Sequence, residues 1–146
     1  MVGLSRELKL ATVLLLASCA SAPTGSPPLG GTSWQMVKFQ GGDGQVLVPT
    51  DRTKYTLTFG ENGTLSVRVD CNRGRGNWTS PAPGQVRLGL LAVTRAMCPP
   101  DSPDSQIVRQ WSYVRSYTVK EGHLYLSLLA DGGTYEFEPI AAEQRK

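Results

Sequence analysis

The sequence predicts an α+β fold that is predominantly antiparallel β: a small curled or barrel-like sheet with one packed helix. Two observations carry this prediction. Apolar and polar residues alternate in several short runs, as they do in strands that bury one face. One segment instead has its apolar residues at spacings of four and three, which is the pattern of an amphipathic helix. The 146 residues suffice for one domain and contain no internal repeat.

The alternating runs define the strands in chain order. A hairpin is predicted over residues 55–69, because two runs flank a turn in which Asn62-Gly63 suits the positive φ angles of tight hairpins. Further runs before and after it complete a meandering sheet. The apolar positions that define the strands are Trp34, Met36, Val37, Tyr55, Leu57, Phe59, Leu65, Val67, Val69, Val86, Leu88, Leu90, Tyr117, Val119, Leu124, Leu126, Leu128, Tyr135 and Phe137.

The helix is predicted to begin directly after residue 102. Ser102 is a suitable N-cap, and Pro103 suits the first helical position. Ile107, Trp111 and Val114 then form one apolar stripe. We expect this helix to pack with that stripe across an opening of the curled sheet.

Residues 1–18 have the features of a secretory signal peptide. Arg6 and Lys9 form a basic region, residues 10–17 are apolar, and small residues follow. A transmembrane helix would need about 20 apolar residues. Residues 16–19, Leu-Ala-Ser-Cys, resemble the bacterial lipobox, which implies cleavage before Cys19 and lipidation of its thiol. The alternative is an ordinary signal peptide whose cleavage site lies near a cysteine.

A flexible tether is predicted for residues 19–30, which are small and rich in proline. The folded domain is then expected over residues 31–140, followed by a polar C-terminal tail at 141–146. The formal net charge of +3 is too small to predict nucleic-acid binding. The aspartate that retains lipoproteins at the inner membrane of enteric bacteria is absent after Cys19, so we expect an outer-membrane anchor that faces the periplasm.

Three cysteines are an odd number for an exported chain. If Cys19 is lipidated, Cys71 and Cys98 remain, and the oxidising compartment beyond the inner membrane favours a disulfide between them. A metal site would need more ligands, since His123 is the only histidine and no Cys-x-x-Cys occurs. A catalytic thiol would likewise have only His123 as an activating imidazole. The disulfide is the favoured interpretation of the three.

Several motifs together resemble the META domain family, also called HslJ-like. They are Gly-Thr-Ser-Trp at 31–34, Leu-Thr-Phe at 57–59 followed by Gly63, Cys-Asn at 71–72, and Thr-Arg-Ala-Met-Cys-Pro at 94–99. The resemblance covers residues 30–138. It implies a small barrel-like envelope protein, often a lipoprotein, without established catalytic activity, whose relatives are linked with heat shock and antibiotic tolerance. This chain departs from the family at Asp70, where glycine is usual.

Three functions are considered. The first is a non-enzymatic, outer-membrane-anchored lipoprotein that takes part in envelope stress response or integrity through partner binding. The second is a periplasmic inhibitor or adaptor of the lysozyme- or protease-inhibitor type, and the third is a carrier of lipid or a small apolar ligand inside the sheet. Motifs for a nucleophile elbow, a histidine-centred triad or a phosphate-binding loop are absent. We therefore expect neither an enzyme nor a cofactor or metal, and we expect a monomer.

The candidate interaction residues are Arg73, Arg75 and Trp78, which follow the Cys-Asn pair. A stable loop that presents the two arginines is the expected inserting element of an inhibitor. Five arginines crowd the middle of the chain: Arg68, Arg73, Arg75, Arg87 and Arg95. A solvated strand face that bears arginines is the favoured interpretation, and contacts to anionic lipid headgroups or lipopolysaccharide phosphates are the alternative. We expect the tryptophans at 34, 78 and 111 to pack in or around the core rather than to form a ligand cage.

Overall fold

The computed structural model describes residues 28–141. The predicted signal peptide, Cys19 and most of the predicted tether and tail therefore lie outside the described residues. Within them, the chain forms one α-helix, α1 (Asp104–Trp111), and two 3-10 turns at Arg52–Lys54 and Leu129–Asp131. The strands are β1 (Thr32–Gly41), β2 (Val46–Leu47), β3 (Tyr55–Phe59), β4 (Thr64–Val69), β5 (Asn72–Thr79), β6 (Arg87–Leu88), β7 (Ala92–Val93), β8 (Val114–Lys120), β9 (His123–Leu128) and β10 (Gly133–Pro139).

All ten strands belong to one sheet in the order β6-β5-β4-β3-β1-β10-β9-β8. Strand β2 also pairs with β1, and β7 also pairs with β5. The two ends of the sheet approach each other, because Gln85 and Ser116 form an antiparallel bridge. The Val86 N–H also donates to the carbonyl of Arg115 at 3.2 Å. The sheet is thus a nearly closed antiparallel barrel with one helix, and the predicted fold class is confirmed.

The barrel interior is filled by the alternating apolar side chains. Phe39 and Tyr135 lie with their ring centroids 4.4 Å apart, and Trp111 meets Tyr135 edge-on at 6.3 Å. Helix α1 supplies Ile107 and Trp111, which are both fully buried. The largest side chains in this core are Trp111, Tyr135, Phe39, Phe59, Phe137, Leu29, Met36, Leu57, Leu65, Ile107, Leu124 and Leu126. These side chains form one contiguous hydrophobic core.

Strand β1 contains an irregularity that explains why its pattern is not strictly alternating. Its register with β10 shifts between Met36 and Lys38, so Val37 is the extra residue of a bulge. Met36 and Phe39 can therefore both face the interior although three positions separate them. Bulges of this kind bend a strand and increase its twist, which helps a sheet to curl into a barrel.

Three local predictions differ from the structure. Val114 is not part of the helical stripe, because α1 ends at Trp111 and Val114 begins β8. Leu90 does not continue a strand, since β6 ends at Leu88 and the Leu90 side chain is 95% exposed. Leu29 lies in the predicted tether, yet it is buried in the core. The packed part of the chain therefore begins before Gly31.

The helix starts one residue later than predicted, with Pro103 just before it and the Ser102 hydroxyl accepting from the Asp104 N–H at 3.3 Å. Among residues 28–141, no helix has the length and apolar character needed to cross a bilayer.

Candidate functional site

Strand β5 places the candidate interaction residues, and here the predicted loop is wrong. Residues 72–79 form an eight-residue strand that pairs with β4 along most of its length. Its inward positions include Gly74 and Gly76, and side chains from another segment fill the space beside these glycines. A Cβ atom on Gly74 would lie 2.9 Å from Val93 Cγ2, and one on Gly76 would lie 2.9 Å from Leu91 Cδ2. The alternation of a strand then turns Arg73 and Arg75 outward.

The outward arginines gain a third member from β4. Arg68 is the direct partner of Arg73 in the antiparallel register, and Ser66 is the partner of Arg75. We call Arg68, Arg73 and Arg75 the arginine face. Directly opposed residues have Cα atoms about 5 Å apart, and like charges at such positions destabilise a sheet. The repulsion between these cations therefore lowers the stability of the fold, and a bound anion would reduce that repulsion.

The arginine face forms no ion pair within the described residues. Arg68 has a carboxylate in its neighbourhood, that of Asp51: hydrogen bonds from Thr53 are the largest cause of the lowered pKa of Asp51, and the charges of Lys54 and Arg68 lower it further. Two acidic groups on β10, which β3 and β1 separate from β4, have other partners: Glu138 binds Arg52 at 2.9 Å, and Glu136 lies 3.4 Å from the Lys38 ammonium. Asp70 lies 3.7 Å from the Lys54 ammonium. Among the described residues, the four ion pairs do not include Arg68, Arg73 or Arg75. The Arg68 Nε instead donates to the backbone carbonyl of Asp70 at 3.2 Å.

The two paired glutamates on β10 are held in their charged form. Burial by itself would raise the pKa of Glu136, but hydrogen bonds from His123 and Lys38 outweigh burial and lower that pKa below its usual value. The hydrogen bond from Arg52 is the largest effect on Glu138 and lowers its pKa. Burial raises that pKa and the hydrogen bond from Gln35 lowers it, and the net result is a pKa below the usual value. These pairs use the two glutamates of β10.

A pH dependence of stability follows from these two glutamates. Because their pKa values are lower in the folded than in the unfolded chain, the pairs stabilise the fold above the unfolded value of about 4.3 and lose this effect as the pH falls. We expect each partly exposed pair to contribute less than about 1 kcal/mol. Urea unfolding at neutral and acidic pH measures the loss, and Glu138→Gln should reduce it.

The control for that measurement is Glu121→Gln, at an exposed turn between β8 and β9. This change should leave the pH dependence as it is in the wild type. An unchanged pH dependence in Glu138→Gln would show that the ion pair with Arg52 contributes nothing to folding.

Asn72 connects the Cys-Asn pair at 71–72 with the segment at 94–99. We call the Asn72 side chain and its hydrogen bonds the Asn72 clamp. Its side chain is buried, and its Oδ1 accepts from the Thr94 hydroxyl at 2.9 Å and from the Ala96 N–H at 2.8 Å. Its Nδ2 donates to the Ala96 carbonyl and to Asp104 Oδ2, both at 3.2 Å. One amide thereby connects β5, the segment at 94–96 and the start of α1.

The turn before Asn72 explains the departure at Asp70. Asp70 has φ 55°, in the left-handed region that favours glycine and that aspartate tolerates better than most residues. Its N–H donates to the Lys54 carbonyl at 2.7 Å. The next residue, Cys71, forms a disulfide with Cys98, whose Cα atom lies 5.5 Å away. The predicted pairing of the two inner cysteines is thus present in the structure.

Trp78 is placed differently from the two arginines. It is half-buried on the inner side of β5, its ring meets Phe59 edge-on at 5.4 Å, and its Nε1 donates to the Gly60 carbonyl at 3.0 Å. The structure therefore does not bring Trp78 together with Arg73 and Arg75 on one surface. Arg68 was expected among the arginines in the middle of the chain, and the structure adds that it lies directly opposite Arg73. The alternation Arg-Gly-Arg-Gly at 73–76 was the available signal that this segment is a strand.

The arginine face is a candidate binding surface of the described residues. In this part of the chain, no three side chains among His, Cys, Asp and Glu are arranged to hold a metal ion. The one histidine, His123, contacts Glu136 at 2.8 Å on the outer face of the sheet. Each guanidinium group is planar and can bind a carboxylate through two parallel hydrogen bonds. What the arrangement can do is bind anions.

Comparison with known proteins gives a family and a fold. A sequence model described as the META domain matches residues 27–142. An NMR structure of a protein from Burkholderia xenovorans has 22% identity and a TM-score of 0.66, with 89% of this chain and 99% of that chain covered. The crystal structure of a DUF4847 family protein from Bacteroides vulgatus has 14% identity and a TM-score of 0.56, with coverages of 75% and 93%. No curated protein matches in sequence. At these identities, the structural likeness concerns the fold alone.

Proposed function

This chain belongs to the META domain family, and on that premise we propose that it is a non-enzymatic lipoprotein whose domain binds an acidic protein partner in the periplasm. It is anchored to the outer membrane through Cys19, and the complex supports the envelope under stress. The observation that carries the binding role is the arginine face: Arg68, Arg73 and Arg75 are adjacent in register, and among the described residues none belongs to an ion pair.

The arginine face favours a protein carboxylate surface for two reasons. The arginines lie on the outside of a sheet held on both sides by hydrogen bonds, so their backbone positions are fixed before binding. Complementary charge speeds association and selects the partner more than it adds affinity. An exposed, preorganised cluster of this kind is therefore suited to recognising an acidic patch on another folded protein.

The two alternative functions receive less support. An inhibitor was expected to insert a loop, whereas Arg73 and Arg75 lie within a strand. A carrier of an apolar ligand needs internal space, whereas the barrel interior is filled by fully buried side chains such as Trp111, Tyr135 and Phe137. Ligand pockets in proteins commonly have volumes of about 300–1,000 Å³, and the large core residues occupy the position where such a pocket would lie.

The anchor is supported by the cysteine pairing. Because Cys71 and Cys98 form a disulfide, Cys19 is the cysteine left for lipidation. One acyl chain binds a membrane only marginally, and each additional buried CH₂ group adds about 0.8 kcal/mol. A diacylated thiol with a further acyl chain on the new amino terminus would hold the domain at the membrane durably.

Photo-crosslinking in cells tests the proposal. A benzophenone amino acid at Ser66, which is exposed and opposite Arg75, should give a discrete crosslinked protein. We expect R73E/R75E to reduce that product about ten-fold or more, because reversed charge repels an acidic partner. Cys19→Ser should move the protein from the membrane fraction to the soluble periplasmic fraction.

Two controls make the result specific. The same photo-crosslinker at Thr118, an exposed residue on β8, should not give the product. Lys120→Glu changes the charge equally per site but lies away from β4 and β5, and it should leave the product intact. A product that survives R73E/R75E would remove the arginine face as the binding surface, and a membrane-bound Cys19→Ser protein would remove the anchor.

A further inference from the structure

A second surface lies between β7 and helix α1, beside the strand β5 with which β7 pairs. It is a groove of about 530 Å³, within the size range of ligand-binding clefts. Leu91 and Val93 line it from the strand side, and Val108 lines it from the helix. Leu91 and Val108 are partly buried side chains packed against the core. Val93 is also partly buried, and its side chain lies beside Gly74 of β5. We call this surface the β7 groove.

The edge of β7 that faces the groove has unused backbone groups. The Thr94 N–H donates to the Arg73 carbonyl at 2.9 Å, and β7 pairs with β5 through Gly74 and Arg75. In an antiparallel pair, hydrogen-bonded positions alternate, so the N–H and C=O of Val93 point away from β5. Within residues 28–141, β7 pairs with β5 alone. The outer edge of β7 is therefore open to a further strand.

This edge is held rigidly in place. The Asn72 clamp fixes the chain at Thr94 and Ala96, and the disulfide fixes it at Cys98. On the other side, the Gly89 N–H donates to the Asn77 carbonyl at 2.8 Å. An edge that is already ordered loses little conformational entropy when a partner strand pairs with it.

The positive charge of Arg95 and Arg109 makes the β7 groove favour acidic segments over basic ones. Arg95 and Arg109 both line the groove and are exposed, and neither belongs to an ion pair in the described part of the chain. The carboxylate that also lines the groove, that of Asp104, accepts a hydrogen bond from Asn72 Nδ2 at 3.2 Å. Two arginines therefore face one carboxylate that is already bound, and the groove favours an anionic occupant.

We propose that the β7 groove binds an extended acidic segment of another protein, which adds a strand to the outer edge of β7 and lies between that edge and α1. Backbone hydrogen bonds to Val93 give the segment its direction and position. Its apolar side chains contact Leu91, Val93 and Val108, and its carboxylates contact Arg95 and Arg109. This inference concerns other residues than the arginine face, and it holds whether or not that face binds a partner.

A synthetic peptide tests the inference on the full exported chain carrying Cys19→Ser. The probe is acetyl-Glu-Val-Glu-Val-Glu-Val-amide, which alternates acidic and apolar side chains as a strand requires. We expect saturable binding with a Kd below about 1 mM. Amide NMR shifts should concentrate at residues 91–96 and 105–109, and exchange of the Val93 amide hydrogen should slow about ten-fold.

Three comparisons decide whether strand addition and charge cause the binding. A peptide with lysine in place of each glutamate should bind about ten-fold more weakly, as should one with proline at the central valine, which lacks the N–H for pairing. Arg109→Glu should weaken binding of the acidic peptide about ten-fold, and Lys120→Glu on β8 should change it less than about two-fold.

Several results would overturn the inference. They are a lack of saturable binding, equal binding of the proline peptide, and shifts centred on residues 66–75 instead of the groove. Displacement of the peptide by phosphatidylglycerol vesicles would assign the groove to lipid headgroups and would equally overturn it. None of these outcomes bears on the crosslink from Ser66, so the two proposals fail separately.

Discussion

Replacing both Cys71 and Cys98 with serine is expected to lower the free energy of unfolding by about 3–4 kcal/mol. The bond closes a loop between residues 27 positions apart, and its loss frees that loop in the unfolded chain. Stabilities of small domains are about 5–15 kcal/mol, so the loss is a large share. Urea unfolding of the double variant and of the wild type, both without reductant, measures the difference.

The control for this prediction is Cys19→Ser, which removes the third thiol without touching the disulfide. It should leave the free energy of unfolding of the domain unchanged. A second measurement uses the wild type in reductant, which should fall to the stability of the double variant. A difference below about 1 kcal/mol between oxidised and reduced protein would show that the disulfide does not stabilise the fold.

Asn72→Ala is expected to cost about 3 kcal/mol. The change removes an amide that makes four hydrogen bonds to Thr94, Ala96 and Asp104. The Ala96 N–H and C=O would then lose their partner in a partly buried site, and each unsatisfied buried group costs about 1–3 kcal/mol. Urea unfolding gives the total, and hydrogen exchange at the Ala96 amide reports the local loss directly.

Asn77→Ala is the matched control, because Asn77 lies on the same strand with an exposed side chain. Its effect should stay within about 0.5 kcal/mol, as for most surface substitutions. An equal loss of stability in the two variants would mean that β5 tolerates alanine poorly at either position and that the hydrogen bonds of the Asn72 clamp add no stability of their own. Thr94→Ala combined with Asn72→Ala should give less than the sum of the two single effects, because the residues share one hydrogen bond.

The disulfide and the Asn72 clamp hold the same segment, since Cys98 follows Ala96 by two positions. We therefore regard the motif pair as a structural device that fixes the open edge of β7 and the start of α1. Cys71, Asn72 and Cys98 of the motif pair thus position the β7 groove, and Arg95 of the same motif pair lines it. Exposed arginines around that segment include Arg73 and Arg75 on β5, Arg95 within the segment at 94–98, and Arg109 on α1.

Periodicity predicted the strands with alternating apolar residues, and the structure confirms β3, β4, β9 and β10 at those positions. It failed at β5, where the inward positions carry Gly74 and Gly76 rather than apolar side chains. The space they leave is filled by Leu91 and Val93, which lie 15 or more positions later in the sequence. A pattern rule that looks for buried side chains does not detect a strand whose buried side chains come from its neighbour.

At the end of α1, the apolar pattern alone also predicts the wrong element. Val114 continues the helical spacing of Ile107 and Trp111, yet it begins β8. A buried residue at this position satisfies either element, because the interior of the barrel lies on the same side of both. The strand prevails because Val114 pairs with Leu128 of β9, a contact that no local pattern contains.

By itself, the sequence determined the mostly antiparallel barrel-like class, the positions of most strands and the pairing of Cys71 with Cys98. These follow from alternation, turn residues and the number of cysteines, which are properties of short segments or of composition. Only the tertiary structure decided that Arg68 joins Arg73 and Arg75, that Asn72 binds Asp104, and that a groove opens beside β7. The physical reason is distance along the chain: the contact from Asn72 to Asp104 spans 32 positions, and such contacts depend on how the whole sheet closes.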